Sequence, residues 1–273
     1  MTFIAAELAD DFSEATLINK VECLEGETFR EVAGRRTFRF ILNDKAYFAK
    51  LHLGVGWQEI LKNLLQLRLP VLGASNEWQA ILKLQELNLE TMTPVAYASE
   101  GINPARVRSC LITESLEDTI SLEELVLANS CTIALKRSLL QRVGAIAKTL
   151  HENGVNHRDF YLCHFLLPEA SIDADKLSHV YLIDLHRAQI RTGLVPNRWR
   201  QKDIAGLLFS AADAGLTRAD LIRFLKAYCG ADLRRSLTAD PSFWRGVVAR
   251  ADRLYQKDHG DRSSFLAQLE ARL

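Results

Sequence analysis

Apolar and polar positions alternate early in the chain and recur at helical spacing later. Phe38 and Phe40 alternate with Arg39 inside Val32 to Leu42. Asn43-Asp44 is a turn pair, and Ala46 to His52 resumes the strand character, so the spacing predicts a hairpin. Trp57, Ile60, Leu61, Leu64 and Leu65 then fall at helical intervals, and Pro70 forbids continuation. A core-facing helix is the expected use of that segment. The lesser alternative for Trp57 to Leu67, with Lys62 and Arg68, is a helix lying in a membrane interface. Asn76 followed by Gln79 suggests a capped helix start, with Glu77, Ile81 and Leu84 on one face. Strand character returns at Thr93 to Tyr97 and Ser109 to Thr113. Beyond about Glu114 helices dominate. Leu139, Val143, Ile146, Ala147 and Leu150 form a stripe that Asn153-Gly154 stops. His179 to Asp184 reads as a short apolar strand. Helices are marked by Ile204, Leu207, Leu208 and Ala211, by Leu221, Leu225 and Tyr228, and by Trp244, Val247 and Val248. Strands early and helices late predict an α+β chain: a small sheet-rich lobe over 1–114 and a larger helical lobe over 115–273.

The 273 residues suffice for such a core. Apolar residues at 48% and charged residues at 25% are ordinary globular values. Lys plus Arg equals Asp plus Glu at 34 each, so nothing in the balance points to nucleic acid. Cys23, Cys110, Cys131, Cys163 and Cys229 are odd in number and contain no C-x-x-C pair, which argues against a disulfide framework or a zinc site and for a reducing compartment. Met1 to Asp11 has acidic residues and no basic region of a secretory signal. No apolar run is long enough to span a bilayer. The expected location is cytoplasmic, soluble or peripheral.

His157-Arg158-Asp159, just after the helix stop, matches the H-R-D catalytic loop of kinases. An aspartate there accepts the acceptor hydroxyl's proton or orients that hydroxyl, and orientation matters more in a largely dissociative phosphoryl transfer. Taken alone, the tripeptide fits a salt-bridged loop slightly better. Asp184 ends the apolar run Val180-Tyr181-Leu182-Ile183, where a carboxylate suits Mg²⁺. Lys50 closes Tyr47-Phe48-Ala49-Lys50, resembling V-A-I-K, the position of a phosphate-holding lysine. Its expected partner is Glu77, with Glu59 too close in sequence for a helix that must pack back over the sheet. Lys50 and Glu77 singly are better read as structural, and Asp184 alone is even between the two readings. The order Lys, Glu, H-R-D, Asp is what chance rarely supplies. A phosphate-covering turn is expected around Gly26 to Arg30, with Arg30 reaching phosphate, although one glycine is not G-x-G-x-x-G and a plain turn is as good a reading. His164 occupies the kinase asparagine position. Imidazole is a poor Mg²⁺ ligand, so a phosphate contact or a loop-holding role competes with a metal one.

Together these residues resemble one family. His157-Arg158-Asp159-Phe160-Tyr161-Leu162-Cys163-His164-Phe165-Leu166-Leu167 and Ile183-Asp184-Leu185-His186-Arg187-Ala188-Gln189 are similar to the loops of lipopolysaccharide core heptose(I) kinases. Gly54-Val55-Gly56-Trp57, Leu69-Pro70-Val71-Leu72-Gly73-Ala74, Glu77-Trp78-Gln79-Ala80 and Trp199-Arg200-Gln201-Lys202-Asp203 add support, over about Val21 to Tyr228. The resemblance implies a protein-kinase-like two-lobed fold and transfer of phosphate from ATP, with Mg²⁺, to the first heptose of the lipopolysaccharide inner core. It implies Asp159 as catalytic aspartate, Asp184 as metal ligand with His164 beside it, and Lys50 and Glu77 as the phosphate lysine and its partner. It also implies Arg158 and Asp203 as supports of the catalytic loop, Asp203 opening a helix, and acyl carrier protein as a partner.

An inner-core saccharide carries carboxylates of neighbouring acidic sugars. Arg187, Arg191, Arg198, Arg200 and Lys202 cluster after Asp184, and arginine suits bidentate carboxylate recognition, so Arg187 and Arg191 are the expected acceptor contacts. A solvated charge run is the alternative. The acceptor is lipid-anchored, so peripheral contact with the inner membrane is expected. Two other readings remain: a kinase-like enzyme for another sugar or a protein, and a pseudokinase that binds nucleotide without chemistry. The degenerate glycine region and His164 favour the last; Lys50, Asp159 and Asp184 oppose it.

Overall fold

Residues with side chains on alternate sides of a strand serve two layers at once, and the first half of the chain is built on that rule. The structure is a computed structural model and describes residues 1–32, 34–65, 72–173, 177–230 and 233–271. The chain divides into two units. One comprises Met1–Lys83, Met92–Glu117 and Leu185–Arg187. The other comprises Leu84–Thr91, Asp118–Asp184 and Ala188–Leu273.

In the first unit, β1 (Thr2–Ile4), β2 (Glu27–Val32), β3 (Arg35–Leu42), β4 (Lys45–His52), β5 (Pro94–Glu100) and β6 (Arg108–Glu114) form an antiparallel sheet in the order β1-β5-β6-β4-β3-β2. Leu42 pairs with Lys45, leaving Asn43 and Asp44 as a two-residue loop with φ of 50° and 58°, the primed geometry that follows strand twist. Phe38, Phe40, Tyr47, Ala49, Leu51, Ala96, Ala98, Cys110 and Ile112 lie in one core with Leu8, Phe12 and the buried face of α1 (Leu17–Cys23). The intervening positions face the other way. There Tyr97 stacks on Trp78 of α3 (Ser75–Glu86) at 4.8 Å, and Phe3 lies 5.0 Å from the same indole.

Two expectations need correction here. Asn76 does not cap α3: it is the helix's second residue, and its Nδ2 donates to the carbonyl of His186 at 2.8 Å. The helix α2 (Gly56–Leu65) forms as its spacing predicts, but among its described side chains only Ile60 is buried, so its apolar stripe does not face the core. Arg68 and the Leu69-Pro70-Val71 part of the Leu69 to Ala74 segment lie outside the described residues.

The second unit is mainly helical: α4 (Leu122–Leu127), α5 (Ile133–Glu152), α6 (Ala170–Asp173), α7 (Asn197–Ser210), α8 (Arg218–Cys229), α9 (Leu233–Ala239), α10 (Pro241–His259) and α11 (Ser264–Glu270). Helix α5 packs on α8, and α7 on α10. A Cβ at Gly144 would sit 2.8 Å from the Phe224 carbonyl, so the α5–α8 approach needs glycine. Short antiparallel pairings complete the unit. β9 (Phe165–Pro168) lies between β7 (Thr119–Ser121) and β10 (Tyr181–Leu182), and β8 (Val155–Asn156) pairs with β11 (Gln189–Ile190). The strand expected over His179 to Asp184 is therefore two residues long. Among the described residues no helix is long and apolar enough to cross a membrane, and the five cysteines are free thiols.

Candidate active site

Lys50 sits between Ala49 and Leu51, which point into the α1-side core, so the pleat turns its side chain toward the α3 side of the sheet. Lys50 Nζ donates to Glu77 Oε1 at 2.6 Å, and the Glu77 side chain is only 2% exposed. Ile81 and Leu84, one and two turns on, are fully buried, so the apolar face of α3 carries the carboxylate inward. Glu59 instead forms an exposed i,i+3 ion pair with Lys62 on α2. The turn expected over Gly26 to Arg30 is absent. Arg30 is an exposed residue of strand β2, paired with Thr37, and the β2–β3 reversal falls at Gly34, which has φ of +75°. A Cβ there would meet the Gly54 carbonyl at 2.3 Å. Cross-strand pairing of Glu27 with Arg39 extends the ladder through the segment.

In the helical unit, Asp203 organises the H-R-D loop. It is 1% exposed, and its two oxygens accept from the backbone N–H groups of His157 and Arg158, each at 2.8 Å. Asp203 does not open its helix: α7 starts at Asn197, which puts the carboxylate mid-helix on the buried face. His151 Nε2 stands 3.4 Å from Asp203 Oδ2, and His151 Nδ1 is 2.9 Å from the Tyr228 hydroxyl, which also accepts from Arg200 Nε at 3.0 Å. Burial pushes that phenol up to about 12. Gly154 precedes the loop with φ of +77°, and a Cβ on it would strike the Arg191 carbonyl at 2.1 Å. Arg158 itself has φ of +75°. Such a conformation costs about 1–3 kcal/mol in a non-glycine residue and persists only when its surroundings over-determine it. The Asp203 clamp on its N–H supplies that determination.

Asp184 has φ of +59° and follows Ile183, whose N–H donates to the His164 carbonyl at 3.0 Å and whose carbonyl accepts from His157 Nε2 at 2.9 Å. His157 is fully buried, and burial lowers its pKa, so it is a neutral Nε2–H donor. His164 Nδ1 lies 2.7 Å from the Asp159 carbonyl, which can only accept, so Nδ1 carries the proton. His164 Nε2 then faces Asp184 Oδ2 at 3.5 Å. The two loops are thus tied by main-chain and imidazole bonds, with the Asp159 carbonyl and the Asp184 carboxylate at either side of one histidine ring.

Among the described residues no group of three His, Cys, Asp or Glu side chains forms a ready metal cage. Mg²⁺ is ordinarily held by one or two carboxylates, its shell completed by phosphate oxygens and water. Asp184 fits such a role; the imidazole of His164 does not.

The arginines expected to bind acceptor have varied surroundings. Arg187 belongs with the first unit. Arg191 is held by Asn156 Oδ1 and Gln189 Oε1, its guanidinium 5.7 Å from the Trp199 ring centroid, with Arg158 at 5.7 Å and Arg198 at 4.9 Å of the same ring. Arg200 is not an acceptor candidate, because it is engaged with Tyr228 and stacks on Phe243. Sequence reasoning missed Glu90. Burial pushes its carboxyl up, but bonds from His179, the Val180 N–H and Arg142 outweigh that and hold it below the usual range. With Thr91 donating to the Leu182 carbonyl at 2.6 Å, Glu90 fixes the approach to Asp184. No local motif marks either residue; their partners are distant in sequence.

An antiparallel sheet whose inner lysine pairs with a buried helix glutamate, and a helical unit whose H-R-D loop is clamped by a buried aspartate, define a protein-kinase-like fold. Within that class, the chain belongs to the lipopolysaccharide kinase (Kdo/WaaP) family, whose model matches residues 19–228. It is 45% identical over 243 residues to the lipopolysaccharide core heptose(I) kinase WaaP of Pseudomonas aeruginosa, covering 87% of this chain and 89% of that protein. It is 44% identical over 241 residues to the protein of the same name from Escherichia coli, covering 87% and 91%. A solved structure described as WaaP in complex with acyl carrier protein superposes with a TM-score of 0.80 at 37% identity, over 93% of this chain and 99% of that one.

Proposed function

We propose that this chain is an ATP-dependent kinase that phosphorylates the first heptose of the lipopolysaccharide inner core. The observation that carries this reading is its 44–45% identity, across 87% of its length, to heptose(I) kinases. In this reading residues 1–114 handle the nucleotide phosphates and 115–273 carry the catalytic and metal-binding loops.

Lys50 holds the α- and β-phosphates, and Glu77 fixes its ammonium. Asp184 would hold Mg²⁺, which would neutralise charge on the phosphate oxygens. Asp159 orients the heptose hydroxyl and takes its proton as the oxygen attacks the γ-phosphorus. The new O–P bond forms as the bond from the γ-phosphorus to the bridging oxygen breaks, and ADP leaves with that electron pair. Catalysis here is chiefly positioning, so a backbone clamp such as Asp203 and a tether such as His164 matter as much as basicity. Arg158 supports the loop beside the Asp203 clamp. Arg187 and Arg191 remain the proposed contacts for acceptor carboxylates. Arg30, exposed on its strand, takes no part in this mechanism.

The partner reading is an acyl carrier protein. The helical unit contains an apolar cavity of about 470 Å³ lined by Leu125, Leu139, Val143, Leu207, Trp244 and Val248 among others. That lies in the ~300–1,000 Å³ range of small-molecule pockets, and its lining suits a fatty acyl chain. The proposed location is the cytoplasmic side of the inner membrane, where ATP and the lipid-linked acceptor meet.

The test is to incubate the purified protein with ATP, Mg²⁺ and core lipopolysaccharide lacking this phosphate. A mass gain of one phosphate on the core sugar is expected. Nucleotide binding without transfer would replace this reading with that of a scaffold.

A further inference from the structure

Amphipathic helices of globular proteins turn the apolar stripe inward; α2 does the reverse. On its helical wheel Trp57, Leu61, Leu64 and Leu65 share one arc, Gln58 borders it, and Glu59 and Lys62 lie away from it. The polar positions are exposed, as expected, but so is the apolar arc: Trp57 is 55% exposed, Leu61 56%, Leu64 49% and Leu65 86%. Ile60, at the edge of the arc, is buried. Four large apolar side chains on one exposed helix face are more than the scattered singletons of an ordinary surface.

The neighbouring loop extends the surface. The Gly56 N–H donates to the Ala105 carbonyl at 3.0 Å, so the start of α2 abuts residues 102–106. Gly54, with φ of +99°, is required there, because a Cβ would stand 2.8 Å from that same carbonyl. The loop is held in shape by Ala105 N–H to Asn103 Oδ1 at 3.0 Å and Arg106 N–H to the Asn103 carbonyl at 2.8 Å. Ile102 projects from it fully exposed, and Arg106 is exposed beside it.

We infer that α2 and the 102–106 loop form a docking surface for an anionic lipid bilayer, the helix lying in the interface with Trp57, Leu61, Leu64, Leu65 and Ile102 inserted. The inference rests on the proposed function, since only a lipid-linked acceptor requires this enzyme to work against a membrane. The chemistry of the surface matches that occupant. Tryptophan favours the headgroup level, leucine and isoleucine the acyl boundary, and Arg106 supplies a cation to meet anionic headgroups, Lys62 being balanced by its partner Glu59.

The experiment is co-sedimentation of the full chain with vesicles of phosphatidylethanolamine and phosphatidylglycerol, alongside phosphorylation of a delipidated core oligosaccharide. Wild type is expected to sediment with the vesicles. Leu61→Glu/Leu64→Glu is expected to weaken partitioning by about tenfold or more, from the apolar area withdrawn, with its melting temperature and its rate on the delipidated substrate unchanged. Arg106→Gln is expected to weaken binding to vesicles containing phosphatidylglycerol and not to vesicles of phosphatidylethanolamine alone. The inference is overturned if wild type stays in the supernatant, if the double leucine variant sediments like wild type, or if that variant instead dissolves a wild-type dimer. A wild type that sediments but never phosphorylates the oligosaccharide overturns the kinase reading while leaving the lipid surface standing.

Discussion

Lys50 Nζ and Glu77 Oε1 are 2.6 Å apart, but the two side chains differ in exposure, 17% for the lysine and 2% for the glutamate. The asymmetry fixes which half of the pair is harder to lose. Lys50→Met strands a carboxylate with almost no access to water, at a cost of about 3 kcal/mol. Glu77→Gln leaves an ammonium that can still reach solvent, and costs about 1 kcal/mol. Urea unfolding should show that order. Both variants should raise the KM for ATP, Lys50→Met more, because the glutamate acts only through the lysine. Equal destabilisation by the two would mean that the pair is more hydrated than its burial implies.

Asp159 and Asp203 touch the same loop in different ways, and their amide variants should separate chemistry from support. On the proposed mechanism Asp159→Asn removes the group that orients the acceptor hydroxyl and takes its proton, so kcat should fall by about 10²–10⁴ with unfolding free energy and ATP affinity near wild type. Asp203→Asn keeps one carbonyl oxygen but cannot accept from both the His157 and Arg158 N–H groups. One buried donor is then orphaned, at about 1–3 kcal/mol, and Arg158 loses part of what holds its positive φ. Its signature is a lowered melting temperature together with lowered kcat. A stable Asp203→Asn enzyme with full activity would show that the loop is held by other contacts.

The apolar cavity in the helical unit gives a third prediction. Val248→Trp places an indole into space lined by Leu125, Leu139 and Trp244. An acylated carrier protein at about 100 times its Kd should stabilise wild type by about 2.7 kcal/mol. The unacylated carrier should stabilise it much less, and the filled variant should not respond to either. Equal stabilisation by acylated and unacylated carrier would place the partner on the outer surface.

What was legible in the sequence followed from how local the determinants are. The β3–β4 hairpin was readable because Asn43-Asp44 and the flanking alternation are contiguous. The Lys50–Glu77 pairing was readable because α3 has a strict apolar face that carries the glutamate. The phosphate-covering turn was misplaced because Gly26 attracts attention as a turn residue, whereas its segment continues into a strand and the reversal falls at Gly34. Helix α2 was assigned correctly, but its orientation was not: periodicity states which residues share a face, not whether anything covers that face. Glu90 and His151 carried no signal, and Tyr228 only that of a helical position, since each acts through partners fixed only by the tertiary fold.

Histidine burial gives the last prediction, in acid. His52 is 2% exposed, and burial first, then the charges of Arg35 and Lys50, lower its pKa from 6.5 to about 3. Burial also lowers that of His157. A histidine with a depressed folded-state pKa is neutral in the native protein while the unfolded chain already binds a proton, so between about pH 6.5 and 3 the unfolded state holds more protons. Stability therefore rises with pH in that window and is complete above it. At pH 5 the loss from His52 alone is about 2 kcal/mol relative to pH 7. Carboxylates barely enter, because at pH 5 those with lowered values, such as Glu90 and Asp220, remain ionised in the folded protein. His52→Gln cannot titrate, so its unfolding free energy should drop by about 2 kcal/mol less than wild type does between pH 7 and pH 5, the remaining drop reflecting His157. Identical pH slopes for wild type and variant would show that His52 is protonated in the folded state as readily as in the unfolded chain.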